Sequence, residues 1–337
     1  ILSDAFYGLG ESQTAMIGQR EFINTDETPK LLINSNSTRP SQIAFKRDGL
    51  NQGVLRLENS TTLLGSLNNG STLGSDSLGI GKNIVSSGSK SVAIGSEANA
   101  TGTNSISIGQ NTEAQFLSVA VGNAAKANST SGGNSAVGVA IGSNAKSTNT
   151  AAIAIGSEAS ASGSNSIAMG QQSEASGLYS ISLGMISKAT GSDSIAIGVR
   201  SDDRGAQGNQ SIAIGYLAGA ISDYGTALGA SAEANEYSTA LGTSTTASST
   251  YSTAIGNNAN ASNTDAVAIG SRGVTASGES SVAIGSKADA AITTASGSGS
   301  LAIGDGAVAP GEWSVALGTM TEAKGLNNVG VGSNAWK

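Results

Sequence analysis

SVAIGSEANATG, residues 91–102, is the stretch of sequence that decides the fold. Its first five residues follow the pattern small, aliphatic, small, aliphatic, glycine, and its second half reads Ala-x-Ala-Thr-Gly. Each half alternates with a period of two and ends at a glycine, which is typical of a short strand and a tight turn and not of a helix. The stretch therefore predicts two short strands and two turns.

The five-residue pattern recurs along most of the chain. Its closing glycine occurs 18 times between Gly81 and Gly332, and in most cases the next closing glycine follows at the fourteenth position. This fixed period predicts an all-β solenoid whose coils stack in register, so that like residues form ladders. With strands about 4.8 Å apart, such a stack of coils would form a rod roughly 80–90 Å long.

Three intervals are clearly longer than the rest. They end at Gly142, Gly215 and Gly304, and they exceed the common interval by six, three and five positions. Because a regular coil cannot absorb the additional residues without breaking the ladder, we expect them to loop outward. The segments expected to do so are 123–137, 199–210 and 286–299, which are rich in Ser, Gly and Asn.

The alternation also predicts the face on which each side chain lies. In the five-residue pattern the second and fourth residues are mostly aliphatic, and we expect them inside the solenoid. The third residue is Ala, Ser or Gly in all 18 copies, which predicts close packing against a neighbouring subunit. The residues expected at that subunit contact are Ala93, Ser107, Ala120, Ala154, Ala168, Ala196, Ala213, Ala268 and Ala316.

The second half of each coil carries a polar residue between its two small residues. We expect this row to face solvent, with both signs of charge interleaved so that like charges are mostly kept apart. Its members are Asn99, Glu113, Lys126, Lys146, Glu174, Lys188, Glu233, Asp289 and Glu322.

Composition argues against several classes of function. The net charge is −7 and no Lys/Arg run is present, so the chain is not expected to bind nucleic acid. No apolar stretch approaches the roughly twenty residues that span a bilayer, so this segment is not expected to insert into a membrane. Histidine and cysteine are absent and no pair of carboxylates is singled out, so we expect no enzymatic activity, no cofactor and no metal site.

Aromatic residues make up only 4% of the chain, which makes their placement informative. Five of them fall directly before the five-residue pattern, at one corner of the coil: Tyr179, Tyr224, Tyr237, Tyr251 and Trp313. Tyr224, Tyr237 and Tyr251 occupy three consecutive coils, in which the second residue of the pattern is Thr. Two roles are open for these side chains, a structural ladder or a candidate surface for a protein or glycan ligand.

The two half-motifs, on their fourteen-residue period, resemble the head repeats of YadA-like trimeric autotransporter adhesins, over roughly residues 77–335. The resemblance implies a left-handed parallel β-roll, three copies of which pack into a homotrimer at a bacterial surface. It also implies an extracellular, non-enzymatic protein that attaches to a host or cell surface. Residues 1–60 depart from the family's pattern, and no stalk or membrane anchor follows Gly332, so we expect either that the chain is a fragment or that its anchor is elsewhere.

The segment before the repeats is expected to form a separate β module, residues 1–60, followed by a connector, 61–76, and the repeats, 77–337. Residues 31–33, 43–45 and 54–57 read as its strands, with a turn near Asp48 and Gly49. The stretch from Pro29 to Leu57 resembles shaft segments of bacteriophage tail fibres. A tail or receptor-binding fibre on a virion therefore stays open as an alternative function. An ice-binding solenoid is a minor alternative, because the outward polar row is irregular.

Overall fold

The computed structural model describes residues 41–47, 50–58, 61–66, 72–128, 137–198, 204–288 and 291–333. The chain divides into two units, Ile1–Ser41 and Gln42–Lys337, and the description below concerns the second. Every regular element in the described residues is a strand. The all-β solenoid with one coil for each sequence repeat is confirmed.

The five-residue pattern forms the first of two parallel sheets. Neighbouring strands pair in register, so that Val92 lies opposite Ile106 and Ala93 opposite Ser107. The coils contribute 18 strands to this first sheet: Leu78–Lys82, Val92–Ile94, Ile106–Ile108, Val119–Val121, Val139–Ile141, Ile153–Ile155, Ile167–Met169, Ile181–Leu183, Ile195–Ile197, Ile212–Ile214, Thr226–Leu228, Thr239–Leu241, Thr253–Ile255, Val267–Gly270, Val282–Gly285, Leu301–Ile303, Val315–Leu317 and Val329–Val331.

The second half of each coil forms the second parallel sheet. Its strands have two residues each and pair in the same way, for example Glu174 with Lys188. The 17 strands are Thr72–Leu73, Val85–Ser86, Asn99–Ala100, Glu113–Ala114, Lys126–Ala127, Lys146–Ser147, Ser160–Ala161, Glu174–Ala175, Lys188–Ala189, Gly205–Ala206, Gly219–Ala220, Glu233–Ala234, Thr246–Ala247, Asn260–Ala261, Thr275–Ala276, Thr294–Ala295 and Val308–Ala309.

Three longer strands precede the coils: β1 (Ser41–Arg47), β2 (Leu50–Glu58) and β3 (Thr61–Ser66). β2 pairs antiparallel with β3, and β3 pairs parallel with the first coil strand, Leu78–Lys82. The strands expected at 43–45 and 54–57 are confirmed, whereas 31–33 and the turn at 48–49 lie outside the described residues. β3 occupies the expected connector, so the stacked strands begin before residue 77. The division into domains otherwise stays a prediction.

The interior contains only small side chains, and this corrects the expected faces. The third residue of the pattern points inward, and the second and fourth point outward, as the burial of Ala93 between the half-buried Val92 and Ile94 illustrates. A coil this short brings its two sheets so close together that Ala, Ser and Thr fill the space. Apart from Ile84 and Val274, the largest fully buried side chains described are threonines.

The nine residues predicted to contact another subunit therefore cannot do so. Each has no exposed surface in a single chain: Ala93, Ser107, Ala120, Ala154, Ala168, Ala196, Ala213, Ala268 and Ala316. The prediction inverted the two faces because it assumed that the larger aliphatic side chains must fill the interior. The large aliphatic residues instead form the outward face of the first sheet.

Each coil turns at two residues with left-handed backbone. We number positions from the residue that opens the five-residue pattern, so that Ser91 is position 1 and Asn104 is position 14. Positions 7 and 14 have positive φ, for example 59° at Glu97 and 55° at Asn104. Asn tolerates this conformation better than other non-glycine residues, and it recurs at both positions. We call the two turns the position-7 corner and the position-14 corner.

Glycine at position 5 is required by close contact between coils. Gly95 has φ of 130°, and a Cβ there would meet the backbone of Gly109 in the next coil. The ladder of glycines that revealed the repeat is therefore a line of backbone contact along the first sheet.

The predicted loops are partly correct. The segments 129–136 and 199–203 lie outside the described residues, but the ends of the predicted ranges, at 126–127 and 205–206, continue the second sheet in register. In the third range, Lys287–Ala288 and Ala291–Ile292 pair as an antiparallel hairpin, after which Thr294 rejoins the ladder opposite Thr275. In this third range the additional residues thus leave the ladder without forming an extra coil.

Candidate functional site

The aromatic corner, which we define as Tyr179, Tyr224, Tyr237, Tyr251 and Trp313, lies at position 14 as predicted. All five residues have left-handed backbone, with φ between 51° and 61°. The backbone N–H of each donates to the preceding coil, as from Tyr237 to the Asp223 carbonyl oxygen at 3.0 Å. This hydrogen bond holds a bulky residue in a conformation that such residues seldom adopt.

Three of these side chains form a stack along the coils. The ring centroids of Tyr224 and Tyr237 are 4.7 Å apart, and those of Tyr237 and Tyr251 are 5.1 Å apart. These distances match the spacing of neighbouring strands, so the ladder of coils sets the ladder of rings. Tyr251 is 56% exposed, against 44% for each of the other two, which agrees with one open ring face at that end of the stack. The rings of three consecutive coils thus stack, and their role, structural or ligand-binding, stays a prediction.

The surroundings of the stack are acidic. Asp223 and Glu236 directly precede Tyr224 and Tyr237 in sequence, and the next coil carries Asp265 at position 14. The pKa of the Tyr237 phenol is raised above its ordinary value, first by loss of water around it and then by the neighbouring phenols and carboxylates. The raised pKa favours the neutral form of the Tyr237 phenol beside these carboxylates.

The other two aromatic residues stand outside the stack. Trp313 lies against Gly299 of the preceding coil, where a Cβ would overlap the indole ring, and its Nε1 donates to Glu312 Oε1 at 3.2 Å. Both Trp313 and Tyr179 are more than half exposed. The stack is therefore confined to the three tyrosines, and Tyr179 and Trp313 are separate aromatic side chains at the same corner.

The coils that carry the stack also differ on the first sheet. Position 2 is Thr226, Thr239 and Thr253 in the three coils that begin directly after the stacked tyrosines, and it is aliphatic in every other described strand of the five-residue pattern. Position 2 lies next to the position-14 corner, so threonine hydroxyls border the stacked rings. Tyrosine hydroxyls, threonine hydroxyls and the carboxylates of Asp223 and Glu236 therefore lie along one edge of the first sheet.

Tyr216 is a candidate that the sequence reasoning missed. It is 53% exposed at position 6, beside Leu217, and it therefore lies at the corner opposite to the stack. The scarcity of aromatic residues was a signal that could have found it. The sequence reasoning considered only those aromatics that directly precede the five-residue pattern.

The polar row of the second sheet faces solvent as predicted. Glu113 and Lys126 form an ion pair at 3.8 Å, but Lys126 also lies opposite Lys146 in the next coil. Asp289 lies outside the described residues, and Thr294 holds the place that was expected for it. A shallow open hollow on this side is lined by Asn144, Lys146, Glu158 and Ser160. Exposed ion pairs of this kind contribute only about 0–1 kcal/mol.

The described residues contain neither a candidate metal site nor a helix that could span a membrane. No group of three or more metal-ligating side chains occurs in the described part of the chain. Within the same ranges, no helix has the length and apolar character needed to cross a membrane.

Comparison with known proteins supports the repeat described above. The family model for the YadA head domain repeat matches nine stretches: 86–112, 138–159, 161–185, 186–201, 206–232, 234–259, 247–272, 275–291 and 295–321. Together these stretches cover more than half of the chain. A search of curated proteins finds no relative that matches.

Proposed function

Because the chain belongs to the YadA head-repeat family, we propose that it is the head of a homotrimeric fibre that attaches to a host or cell surface. Heads of this family are displayed outside the cell, so the proposed location is extracellular, at a bacterial surface. The family is one of structural adhesins, and the proposed activity is binding without catalysis.

One observation carries the proposed trimer, namely the outward aliphatic face of the first sheet. In a single chain, Met169 is 42% exposed, Leu228 41% and Leu241 40%. This face continues over all 18 strands of the sheet, and a contiguous apolar surface of that length is typical of a subunit interface. Burial contributes roughly 25 cal/mol per Å² of apolar surface, so a row of half-exposed Ile, Val and Leu side chains strongly favours assembly.

The surface that remains after assembly is where a ligand would bind. The charged row of the second sheet is open to solvent but offers weak, salt-screened contacts. The aromatic corner offers larger apolar area for each side chain, and Tyr and Trp are enriched among the residues that dominate binding energy. We therefore propose the aromatic corner as the ligand surface, with a host or cell-surface protein or glycan as the ligand.

The test of this function measures attachment and assembly in parallel. Beads coated with the protein would be applied to immobilised collagen, fibronectin and laminin and to a glycan array, while sedimentation velocity reports the oligomeric state. We expect a trimer that attaches to at least one of these surfaces. A protein that is trimeric but attaches to none of them would contradict the adhesive function, and a folded monomer would contradict the trimer.

A triple variant tests the ligand surface. Tyr224, Tyr237 and Tyr251 would each be replaced by Asn, because Asn104 and Asn165 already occupy position 14 with the same backbone. We expect a folded trimer whose binding is weakened about 10-fold or more, as loss of a binding hot spot predicts. The matched control replaces Glu113, Lys126 and Lys146 by Ser, also in three consecutive coils, and should bind like the parent. Unchanged binding by the tyrosine variant would move the ligand surface elsewhere.

A virion fibre is the second candidate function. It is favoured by the resemblance of residues 29–57 to tail-fibre shafts, within which β1 and most of β2 lie. The segments that flank this one in the full-length protein distinguish the two candidates. A coiled-coil stalk with a membrane anchor indicates an adhesin, and a tail-attachment domain indicates a fibre.

A further inference from the structure

The inference below rests on the homotrimer proposed above and concerns how its copies meet. In a three-fold assembly the aliphatic faces point to a common axis, and each copy meets its two neighbours along two different edges. The position-14 corner borders position 2 of the first sheet, and the position-7 corner borders position 4. A rotation of one third of a turn therefore brings the position-14 corner of one copy beside the position-7 corner of the next.

Symmetry also fixes the heights at which residues face each other. Equivalent coils of the three copies lie at the same height, and each coil rises by one strand spacing, about 4.8 Å. Position 14 of a coil therefore lies midway in height between position 7 of that coil and position 7 of the following coil. Tyr237 of one copy, for example, faces Ser231 and Ser244 of the next.

Charges match across these two corners. Lys90, at position 14 of one copy, lies next in height to Glu97, at position 7 of the neighbouring copy. Asp265 and Arg272 repeat the arrangement with the signs exchanged. All four residues are exposed in the single chain. In the described part of the chain, no two like charges face each other at these heights.

The chain's own fold cannot explain this match. Residues 90 and 97 lie at opposite corners of the solenoid, separated along the strand by roughly 20 Å at 3.3 Å per residue. The ion pairs formed within the described residues of one chain join other residues, such as Arg204 with Glu233 at 3.3 Å. Opposite charges at matched heights therefore complement a second copy.

Sizes match best at Tyr237, the middle ring of the stack. Trp313 faces Gly306 on one side and Met320 on the other, and Tyr237 lies between two serines. Tyr224 faces Leu217 and Ser231, and Tyr251 faces Ser244 and Asn258. Tyr179 faces the larger Gln172 and Ile186. Position 6 is small at the height of Tyr237, where it is Ala230 and Thr243, and it is Tyr216 at the height of Tyr224.

We infer that each position-14 corner lies along the position-7 corner of the neighbouring copy, closed by the pairs Lys90–Glu97 and Asp265–Arg272 and open as a groove at the stacked tyrosines. Small residues opposite Tyr237, the middle ring, leave space there. The hydroxyl groups of Thr226, Thr239 and Thr253, which border the rings, would lack partners in a dry apolar contact and are hydrated in a groove. The ligand surface is therefore shared, with tyrosines from one copy and Ser231 and Ser244 from the next.

Paired cysteines test this arrangement, because the chain has no cysteine of its own. Three double variants place one cysteine at each corner: Lys90→Cys with Glu97→Cys, Asp265→Cys with Arg272→Cys, and Tyr237→Cys with Ser244→Cys. Trimers confirmed by sedimentation would be treated with a short bismaleimide and run on a denaturing gel. We expect covalently closed trimers from all three pairs, because each copy then links to both neighbours.

The controls separate this inference from the trimer itself. Each single variant should remain uncrosslinked, because the position-14 corner of one copy does not meet the position-14 corner of another, and the same holds for the position-7 corners. The pair Lys90→Cys with Arg272→Cys uses the same corners at distant heights and should also remain uncrosslinked. Trimers that no matched pair crosslinks, or that single variants crosslink, would overturn the shared groove and leave the trimer intact. Monomers in sedimentation would overturn the proposed trimer and this inference with it.

Discussion

The two sheets of each coil bury the same kind of residue and expose different kinds. Inward, both sheets carry Ala and Ser, such as Ala168 in the first and Ala175 in the second, with no exposed surface. Outward, the first sheet carries aliphatic side chains such as Ile167 and Met169, whereas the second carries charged ones such as Glu174. The two sheets therefore differ only in the side chains that point away from the chain's own core.

This difference shows that the single chain is only the first level of burial. A core of Ala, Ser and Thr buries little apolar area per residue, so much of the stability of a coil comes from backbone hydrogen bonds and repeated close contact. The larger aliphatic residues remain half exposed in one chain, and they are the residues that assembly would bury. The first sheet thus carries the face that we propose to contact other subunits, and the second carries a face open to solvent.

The largest effect is expected from charge on the first sheet. Ile155→Asp combined with Ile197→Asp places carboxylates on the face that we propose to lie at the trimer axis. Burying an uncompensated charge costs about 3–5 kcal/mol, so we expect the trimer to dissociate into monomers, measured by sedimentation velocity. Ser160→Asp with Thr246→Asp makes the same change on the second sheet and should leave the trimer intact. Equal behaviour of the two variants would contradict the difference between the sheets.

The next largest effect is expected from a larger side chain in the interior. Ala168 lies between Ala154 and Ser182 on its ladder, with no exposed surface. Ala168→Leu should destabilise the protein by about 1–3 kcal/mol, since close-packed interiors resist additional methylene groups. The adjacent outward change, Met169→Leu, should cost less than about 1.5 kcal/mol. Denaturant unfolding at one protein concentration measures both, and equal midpoints would mean that the interior is not closely packed.

Much of the fold could be predicted from the sequence, but the faces could not. The glycine period predicts the number of coils and their register, because the backbone contact that needs glycine at Gly95 repeats in every coil. The direction of the side chains depends on the distance between the two sheets, which no single strand reveals. Large aliphatic residues usually lie inside a protein, and that expectation failed because the coil is too thin.

The candidate site shows the same division. The corner shared by Tyr224, Tyr237 and Tyr251 could be predicted, because equal spacing in a periodic chain places residues on one ladder. Their left-handed backbone was not predicted, although the recurrence of Asn at positions 7 and 14 was a usable signal. The opposite corner, with Tyr216, was missed because the assumed faces were inverted and gave no reason to compare the two edges of the first sheet.

A smaller effect on stability is expected at the corner that carries the hairpin, between the outward faces of the two sheets. Deleting 288–292 restores the common length of a coil and places Lys287 at position 7. The ladder from Thr275 to Thr294 does not depend on the hairpin, and shortening a loop changes stability by only about 0.6 kcal/mol for each halving of its length. We expect a melting temperature within a few degrees of the parent. Deleting five residues from a regular coil, 171–175, should prevent folding, and equal tolerance would contradict a fixed coil length.

The smallest effect on stability is expected from the phenols at the position-14 corner, between the outward faces of the two sheets. The pKa of Tyr237 is raised in the folded protein by loss of water, by Tyr224 and Tyr251, and by Glu236 and Asp223. A raised pKa means that the folded state holds its proton longer than the unfolded state, so this contribution to stability is complete below the ordinary tyrosine pKa, near 10. It is lost as the pH rises through the higher folded value.

Absorbance titration of the phenols and unfolding measured between neutral and alkaline pH test this contribution together. Tyr237→Asn should remove the latest step of the titration curve and flatten the decline of stability above about pH 10. Tyr216→Asn removes one phenol outside the stack and should leave both features in place. If the two variants titrate and unfold alike, the stacked ring of Tyr237 behaves no differently from the isolated ring of Tyr216 at the opposite corner.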